Sequence, residues 1–100
     1  MAPEILMNQE YTYKADTYSF GIVMWEIASR ETPYRGLNPQ FIGYKVINEQ
    51  QRPDLTKIAE DTPKAFRDLF VKCWDQNPAK RPEFSDIVDA LKAILDVLPA

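Results

Sequence analysis

The sequence predicts an all-α fold of about four main helices, and three observations carry that prediction. Apolar residues recur at i, i+3 and i+4 in two segments, Phe66 to Trp74 and Phe84 to Leu98, which is the spacing of one buried helix face. No segment alternates apolar and polar residues over the length of a strand. The prolines, at positions 3, 33, 39, 53, 63, 78, 82 and 99, are separated by long gaps in which helices fit.

The first long helix is expected from Tyr13 to Arg30, within the longest proline-free stretch. Its middle, Tyr18 to Ala28, is apolar on nearly every side, and such a helix is normally buried on nearly every side. A chain of 100 residues has little material with which to wrap it. The turn Glu31 to Leu37 follows, and then Asn38-Pro39, a cap residue with proline at the first helical position, opens a short helix to about Asn48. Phe41, Ile42, Tyr44, Val46 and Ile47 follow the helical period only loosely there. A polar loop from Glu49 to Asp61, interrupted by Arg52-Pro53, leads to Thr62-Pro63, which repeats the cap-then-proline device. Behind it Phe66, Leu69, Phe70, Cys73 and Trp74 form a buried face, and Asp75-Gln76-Asn77-Pro78 ends that helix. After Arg81-Pro82, a last helix presents Phe84, Ile87, Val88, Leu91, Ile94, Leu95 and Leu98 as a second stripe.

Composition narrows the function. A chain of 100 residues makes one small domain or part of a larger one. Its net charge of -3 offers no basic field for a phosphate backbone, so no nucleic-acid partner is expected. The absence of histidine excludes Ser/His/Asp and Cys/His catalysis and any histidine-containing zinc site. A single cysteine, Cys73, excludes an internal disulfide and fits a reducing compartment. Met1-Ala2-Pro3-Glu4 has no secretory character, and the longest apolar run, Ile22 to Trp25, is far too short to cross a bilayer. The chain therefore reads as cytoplasmic, with no membrane partner.

Few residues suggest chemistry. Gly21, Gly36 and Gly43 are isolated, so no phosphate-cradling loop is encoded. Glu60-Asp61 reads as a solvated loop rather than an acid pair, and Cys73, on an apolar face, as a small hydrophobe rather than a nucleophile. Tyr11, Tyr13, Tyr34 and Tyr44 read as packing or surface residues. Asp16, at the start of the first long helix, complements the positive end of its macrodipole. Glu4 and Arg81 stand beside prolines near opposite ends of the chain.

Several motifs occur in one order. Ala2-Pro3-Glu4 matches the A-P-E triplet that closes the activation segment of protein kinases. Lys14 to Gly21 resembles the D-x-[WY]-S-F-G opening of that family's F helix. Trp25-Glu26-Ile27 with Thr32-Pro33-Tyr34 resembles its W-E-[IL] and P-[YF] pattern, and Cys73-Trp74, Pro78, Arg81-Pro82 and Phe84 its C-W…P…R-P-x-F block. Over essentially all 100 residues the chain resembles the C-terminal part of a kinase catalytic domain, from the substrate-binding loop through helices F to I. Tyr18, where tyrosine kinases usually carry tryptophan, points to the tyrosine-kinase-like group.

The resemblance implies roles for particular residues. Glu4 would pair with Arg81, tying the activation segment to the loop before the last helix. Asp16 would accept hydrogen bonds from catalytic-loop amides, and Met1, Ala2 and Pro3 would border the pocket for the substrate residue next to the phosphoacceptor. The family's ATP lysine, catalytic aspartate and metal-binding Asp and Asn lie upstream of A-P-E and have no counterpart here. This implies no catalytic, cofactor or metal residue in this chain, although intact members use ATP and magnesium. The expected function is that of a kinase fragment inactive alone, its partners being a protein substrate or the upstream segments. The alternative is a non-catalytic interaction or self-association module. Without upstream segments, the surface around Tyr18, Ile22 and Trp25 is expected to be bare, and a symmetric homodimer is its simplest cover. The competing outcome is collapse of the third helix and the Glu49 to Asp61 loop over that surface.

Overall fold

The computed structural model describes residues 1–7 and 13–97. Its helices are α1 (Pro3–Leu6), α2 (Tyr13–Ser29), α3 (Pro39–Asn48), α4 (Lys64–Cys73) and α5 (Phe84–Val97), with 3-10 turns at Leu55–Lys57 and Pro78–Lys80. Among the described residues there is no strand, and the fold is all-α as the apolar spacing implies. Tyr11 and Leu98 lie outside the described residues.

Local sequence sets the helix ends. Proline at the first position of α1 has no amide to waste, and the amides of Ile5 and Leu6 donate to Ala2 O at 3.1 and 3.2 Å. Arg30, at φ 58°, turns the chain out of α2 while its amide still donates to Glu26 O at 2.7 Å. Asn38 O accepts from the Phe41 amide at 2.9 Å, so α3 begins at Pro39 as expected. The start of α4 differs from the sequence reading. Pro63 is the residue before the helix rather than its first, and no side chain caps it. Its carbonyl accepts from Phe66 and Arg67 instead, at 3.0 and 3.2 Å.

α4 packs against both α2 and α5, α2 meets α5 through Phe20 and Phe84, whose ring centroids are 6.0 Å apart, and α1 packs on α3. Gly21 permits the close approach of α2 and α4. A Cβ there would lie 2.9 Å from Cys73 Cβ and 3.0 Å from Phe70 O. Around this contact the core gathers Tyr18, Met24, Trp25, Phe70, Cys73, Trp74 and Ile87. Phe66, Phe70 and Trp74 pack edge-on or tilted in sequence, with centroids 5.8 and 5.2 Å apart.

The expectation of a bare surface around Tyr18, Ile22 and Trp25 is overturned. Tyr18 is 1% and Trp25 2% exposed, and Ile22 is half-buried. In keeping with the competing outcome, the segment after α3 folds over Tyr18 and Trp25 and is pinned by hydrogen bonds. Trp25 Nε1 donates to Asp54 O at 2.8 Å, Arg52 Nε to Trp74 O at 3.0 Å, and Arg52 Nη2 to Gln76 Oε1 at 2.6 Å. The bare apolar residues lie elsewhere, among them Val23 and Ile27 on α2, Phe41 and Tyr44 on α3, and Val88 and Leu95 on α5. Of the predicted α5 stripe, Ile87 and Ile94 are buried and Leu91 partly so, while Phe84, Val88 and Leu95 are exposed. Among the described residues no helix is long and apolar enough to cross a membrane.

Candidate functional site

The polar centre of the molecule is Arg81. It follows the 3-10 turn Pro78–Lys80, whose cap Asn77 accepts from the Ala79 amide at 3.0 Å. Pro82 keeps its backbone extended, at φ -75° and ψ 141°. This geometry sends the guanidinium inward, where the side chain is fully buried. Nη1 donates to Glu4 Oε2 at 2.7 Å and to Lys14 O at 2.9 Å. Nη2 donates to Glu4 Oε1 at 2.9 Å, and Nε to Asp75 O at 2.8 Å. The two-pronged contact with Glu4 matches the planar fork of arginine to the plane of a carboxylate.

Glu4 reaches this position because α1 is a single turn set against α3, and its side chain is only 6% exposed. Burial alone would raise its carboxyl pKa. The hydrogen bonds from Arg81 and from its own backbone amide, with the charge of Arg81, outweigh burial and hold it below its ordinary value. A surface latch closes over the pair. Lys14 Nζ donates to Arg81 O and lies 3.2 Å from Glu83 Oε1, which also accepts from Tyr13 Oη at 2.9 Å.

Tyr18 lies beneath the pair, with the Arg81 guanidinium 5.0 Å from its ring centroid and that of Arg52 5.1 Å away. Sequence reasoning missed Arg52 and Lys14 as members of this cluster. A signal was present for Arg52: Arg52-Pro53 repeats the Arg81-Pro82 dipeptide, and a residue before proline is held extended. For Lys14 there was none, since a lysine in the first turn of a helix is ordinary.

The remaining predicted residues are placed as follows. Ala2 and Pro3 are buried under the anchor, and Met1 projects at 74% exposure. Asp16 is exposed in the first turn of α2. Cys73 is buried in the core, which pushes its thiol up to about 11 and leaves it a thiol at neutral pH. The described residues hold no group of three metal-ligating side chains. Gly21 is packed on Cys73, Gly43 faces Leu6 and Gly36 stands alone in its turn, so no glycines form an anion cradle.

Residues 1–91 match the profile of the family described as "Protein tyrosine and serine/threonine kinase". The chain is 46% identical over 96 residues to the dual specificity protein kinase shkD of Dictyostelium discoideum, covering 95% of this chain and 12% of that protein. It is 40% identical over 92 residues to the serine/threonine/tyrosine-protein kinase HT1 of Arabidopsis thaliana, covering 92% of this chain and 23% of that protein. The serine/threonine-protein kinase STY17, also of Arabidopsis thaliana, is 37% identical over 95 residues, which are 95% of this chain and 16% of that protein. The chain thus spans less than a quarter of the length of each of these relatives. With the A-P-E turn, the long central helix and the Arg-Pro block in family order, this chain belongs to the protein tyrosine and serine/threonine kinases and corresponds to the C-terminal part of their catalytic domain.

Proposed function

We propose that this chain is the substrate-side scaffold of a protein kinase and does not transfer phosphate by itself. The observation that carries this reading is the buried Glu4–Arg81 pair. It fixes the one-turn helix α1 to the helical body, with Ala2 and Pro3 packed beneath and Met1 exposed at the rim. A rigid rim of that kind suits the binding of a protein substrate next to its phosphoacceptor residue. The phosphate-stabilising groups of phosphoryl transfer have no counterpart in this sequence. In this reading Asp16, exposed in the first turn of α2, would accept amide hydrogen bonds from the catalytic loop of a complete domain. A reducing compartment, the cytoplasm, suits a chain whose single cysteine is a buried thiol.

Calorimetric titration with ATP–magnesium and a phosphate-transfer assay test this reading. The isolated chain should give no saturable heat and no labelled product; micromolar binding or measurable transfer overturns it. A second reading, self-association, is favoured by one observation: Val23 and Ile27 of α2 and Val88 and Leu95 of α5 stand exposed. Light scattering after size exclusion separates the two, since a scaffold needs no second copy.

A further inference from the structure

The groups that close over the Glu4–Arg81 pair also join the starts of two long helices. Tyr13 is the first residue of α2, and Glu83 directly precedes α5, where its carbonyl accepts from the Ile87 amide at 3.0 Å. Tyr13 Oη donates to Glu83 Oε1 at 2.9 Å, and Lys14 Nζ lies 3.2 Å from the same oxygen. Lys14 Nζ also donates to Arg81 O. One carboxylate oxygen thus faces a phenol and an ammonium, and the phenolic proton is what lets Tyr13 sit against a carboxylate. Glu83 in turn holds that proton on, raising the phenol above its ordinary value.

The other described tyrosines lack this arrangement. Tyr18 is buried, and Tyr34 is half-buried with its hydroxyl on Gln51 O. Tyr13 and Tyr44 are 51% and 61% exposed, but their backbone settings differ. Tyr44 stands in the middle of α3, whereas Tyr13 begins α2, where the first amides have no partner within the helix. A modifying enzyme reaches Tyr13 by fraying one helix end, and reaches Tyr44 only by melting most of a helix.

We propose that Tyr13 is a phosphorylation site whose modification opens the contact between α2 and α5. In the step, carried out by a separate tyrosine kinase, the phenolic oxygen attacks the terminal phosphorus of a nucleoside triphosphate. An oxygen–phosphorus bond forms, the bond to the diphosphate breaks, and the phenolic proton passes to solvent. The product carries about 1.5 to 2 negative charges at neutral pH. Tyr13 then has no proton to give Glu83 and sets like charge against it at hydrogen-bond range. Lys14 is drawn from Arg81 O to the phosphate oxygens, and Glu83 is expelled. The phosphoryl group comes from another enzyme, so this inference stands or falls apart from the scaffold reading.

The test uses the full chain as Tyr11→Phe, incubated with a broad-specificity tyrosine kinase and ATP–magnesium. Tandem mass spectrometry should find Tyr13 modified at least about tenfold faster than Tyr18, Tyr34 or Tyr44. Hydrogen exchange followed by nuclear magnetic resonance then compares the phosphorylated and unmodified chains. The buried Ile87 amide should exchange about tenfold faster after phosphorylation, the equivalent of one hydrogen bond, while the Phe70 amide of α4 is unchanged. Glu83→Gln removes the like charge, and its phosphorylation should quicken Ile87 by less than about twofold. No phosphate at Tyr13, preferential modification of Tyr44, or an unchanged Ile87 amide in the phosphorylated chain overturns the proposal. So does equal acceleration in Glu83→Gln, or a Phe70 amide that quickens as much as Ile87, the mark of general unfolding.

Discussion

Replacing Arg81 with methionine is expected to remove about 3–5 kcal/mol of folding stability, the cost of leaving a buried charge without its partner. The geometry supports the upper part of that range. Glu4 would lose both of its bonds to the guanidinium, at 2.7 and 2.9 Å, and the carbonyls of Lys14 and Asp75 would lose their donor. Little water can reach the gap, since the two side chains are 0% and 6% exposed. Small domains have a total stability of about 5–15 kcal/mol, so the variant should stand near the edge of folding. Glu4→Gln keeps one acceptor oxygen but leaves the arginine charge unpaired, and a loss of about 2–4 kcal/mol is expected. The double variant Glu4→Leu with Arg81→Met should recover much of the loss, because two apolar groups leave no orphan charge. Urea unfolding followed by far-ultraviolet circular dichroism gives these values and the coupling energy of the pair. A coupling below about 0.5 kcal/mol, as exposed surface pairs give, would refute the anchor.

The same pair dictates a response to acid. Arg81 holds the Glu4 carboxyl below its ordinary value in the folded chain, against the opposing effect of burial. The unfolded chain therefore binds this proton at higher pH than the folded one does. Stability from the pair is complete above the unfolded carboxylate value of about 4.3 and is lost as pH falls through the lower folded value. The wild-type chain should lose more stability across that acid window than Glu4→Gln does. Parallel pH profiles for the two would refute this assignment.

Three further outcomes follow from the packing. Gly21→Ala should cost about 1–2 kcal/mol net, since overpacking at the α2–α4 crossing outweighs the gain in helix propensity; a thermal midpoint equal to or above that of wild type would contradict this. Cys73, with its thiol raised to about 11, should resist iodoacetamide at neutral pH and be labelled only in step with urea unfolding; prompt labelling of the native chain is the contrary result. If the exposed α2 and α5 residues mediate self-association, Ile27→Asp with Leu95→Asp should yield a monomer with an unchanged melting midpoint. A wild-type chain already monomeric at tens of micromolar removes that reading.

Much of the fold is legible in the spacing of apolar residues, and the exceptions have physical causes. Phe66, Leu69, Phe70, Cys73 and Trp74 announce α4 because that helix touches the core along one face. The seven-residue stripe of α5 announces the helix but overstates its burial. Val88 and Leu95 share the stripe with Ile87 and Ile94, yet only Ile87 and Ile94 are buried. The apolar helix α2 was misread in a more instructive way. Its excess of apolar surface was real, but the prediction placed it on the wrong side. The loop rich in Gln, Arg, Pro and Asp that covers Tyr18 and Trp25 is the competing outcome weighed from the sequence, but hydrophobic pattern alone does not favour it over a bare face. That cover depends on hydrogen bonds from Trp25 Nε1 and Arg52 rather than on apolar contact.

The site shows the same limit more sharply. Glu4 and Arg81 lie 77 residues apart, and no local rule of spacing or capping relates them. Only the family motifs bring them together on the page, and those motifs are silent on Arg52. The structure supplies a physical link between the two arginines, since each precedes a proline and each guanidinium stands about 5 Å from the Tyr18 ring. An extended backbone before proline carries each side chain off its loop and into the helical body. One arginine then meets a carboxylate and the other meets backbone carbonyls and Gln76, so both are satisfied without a second acid. The two arginines that build the anchor thus also hold the Tyr18 ring, and the burial of its hydroxyl is a consequence of how the anchor is built.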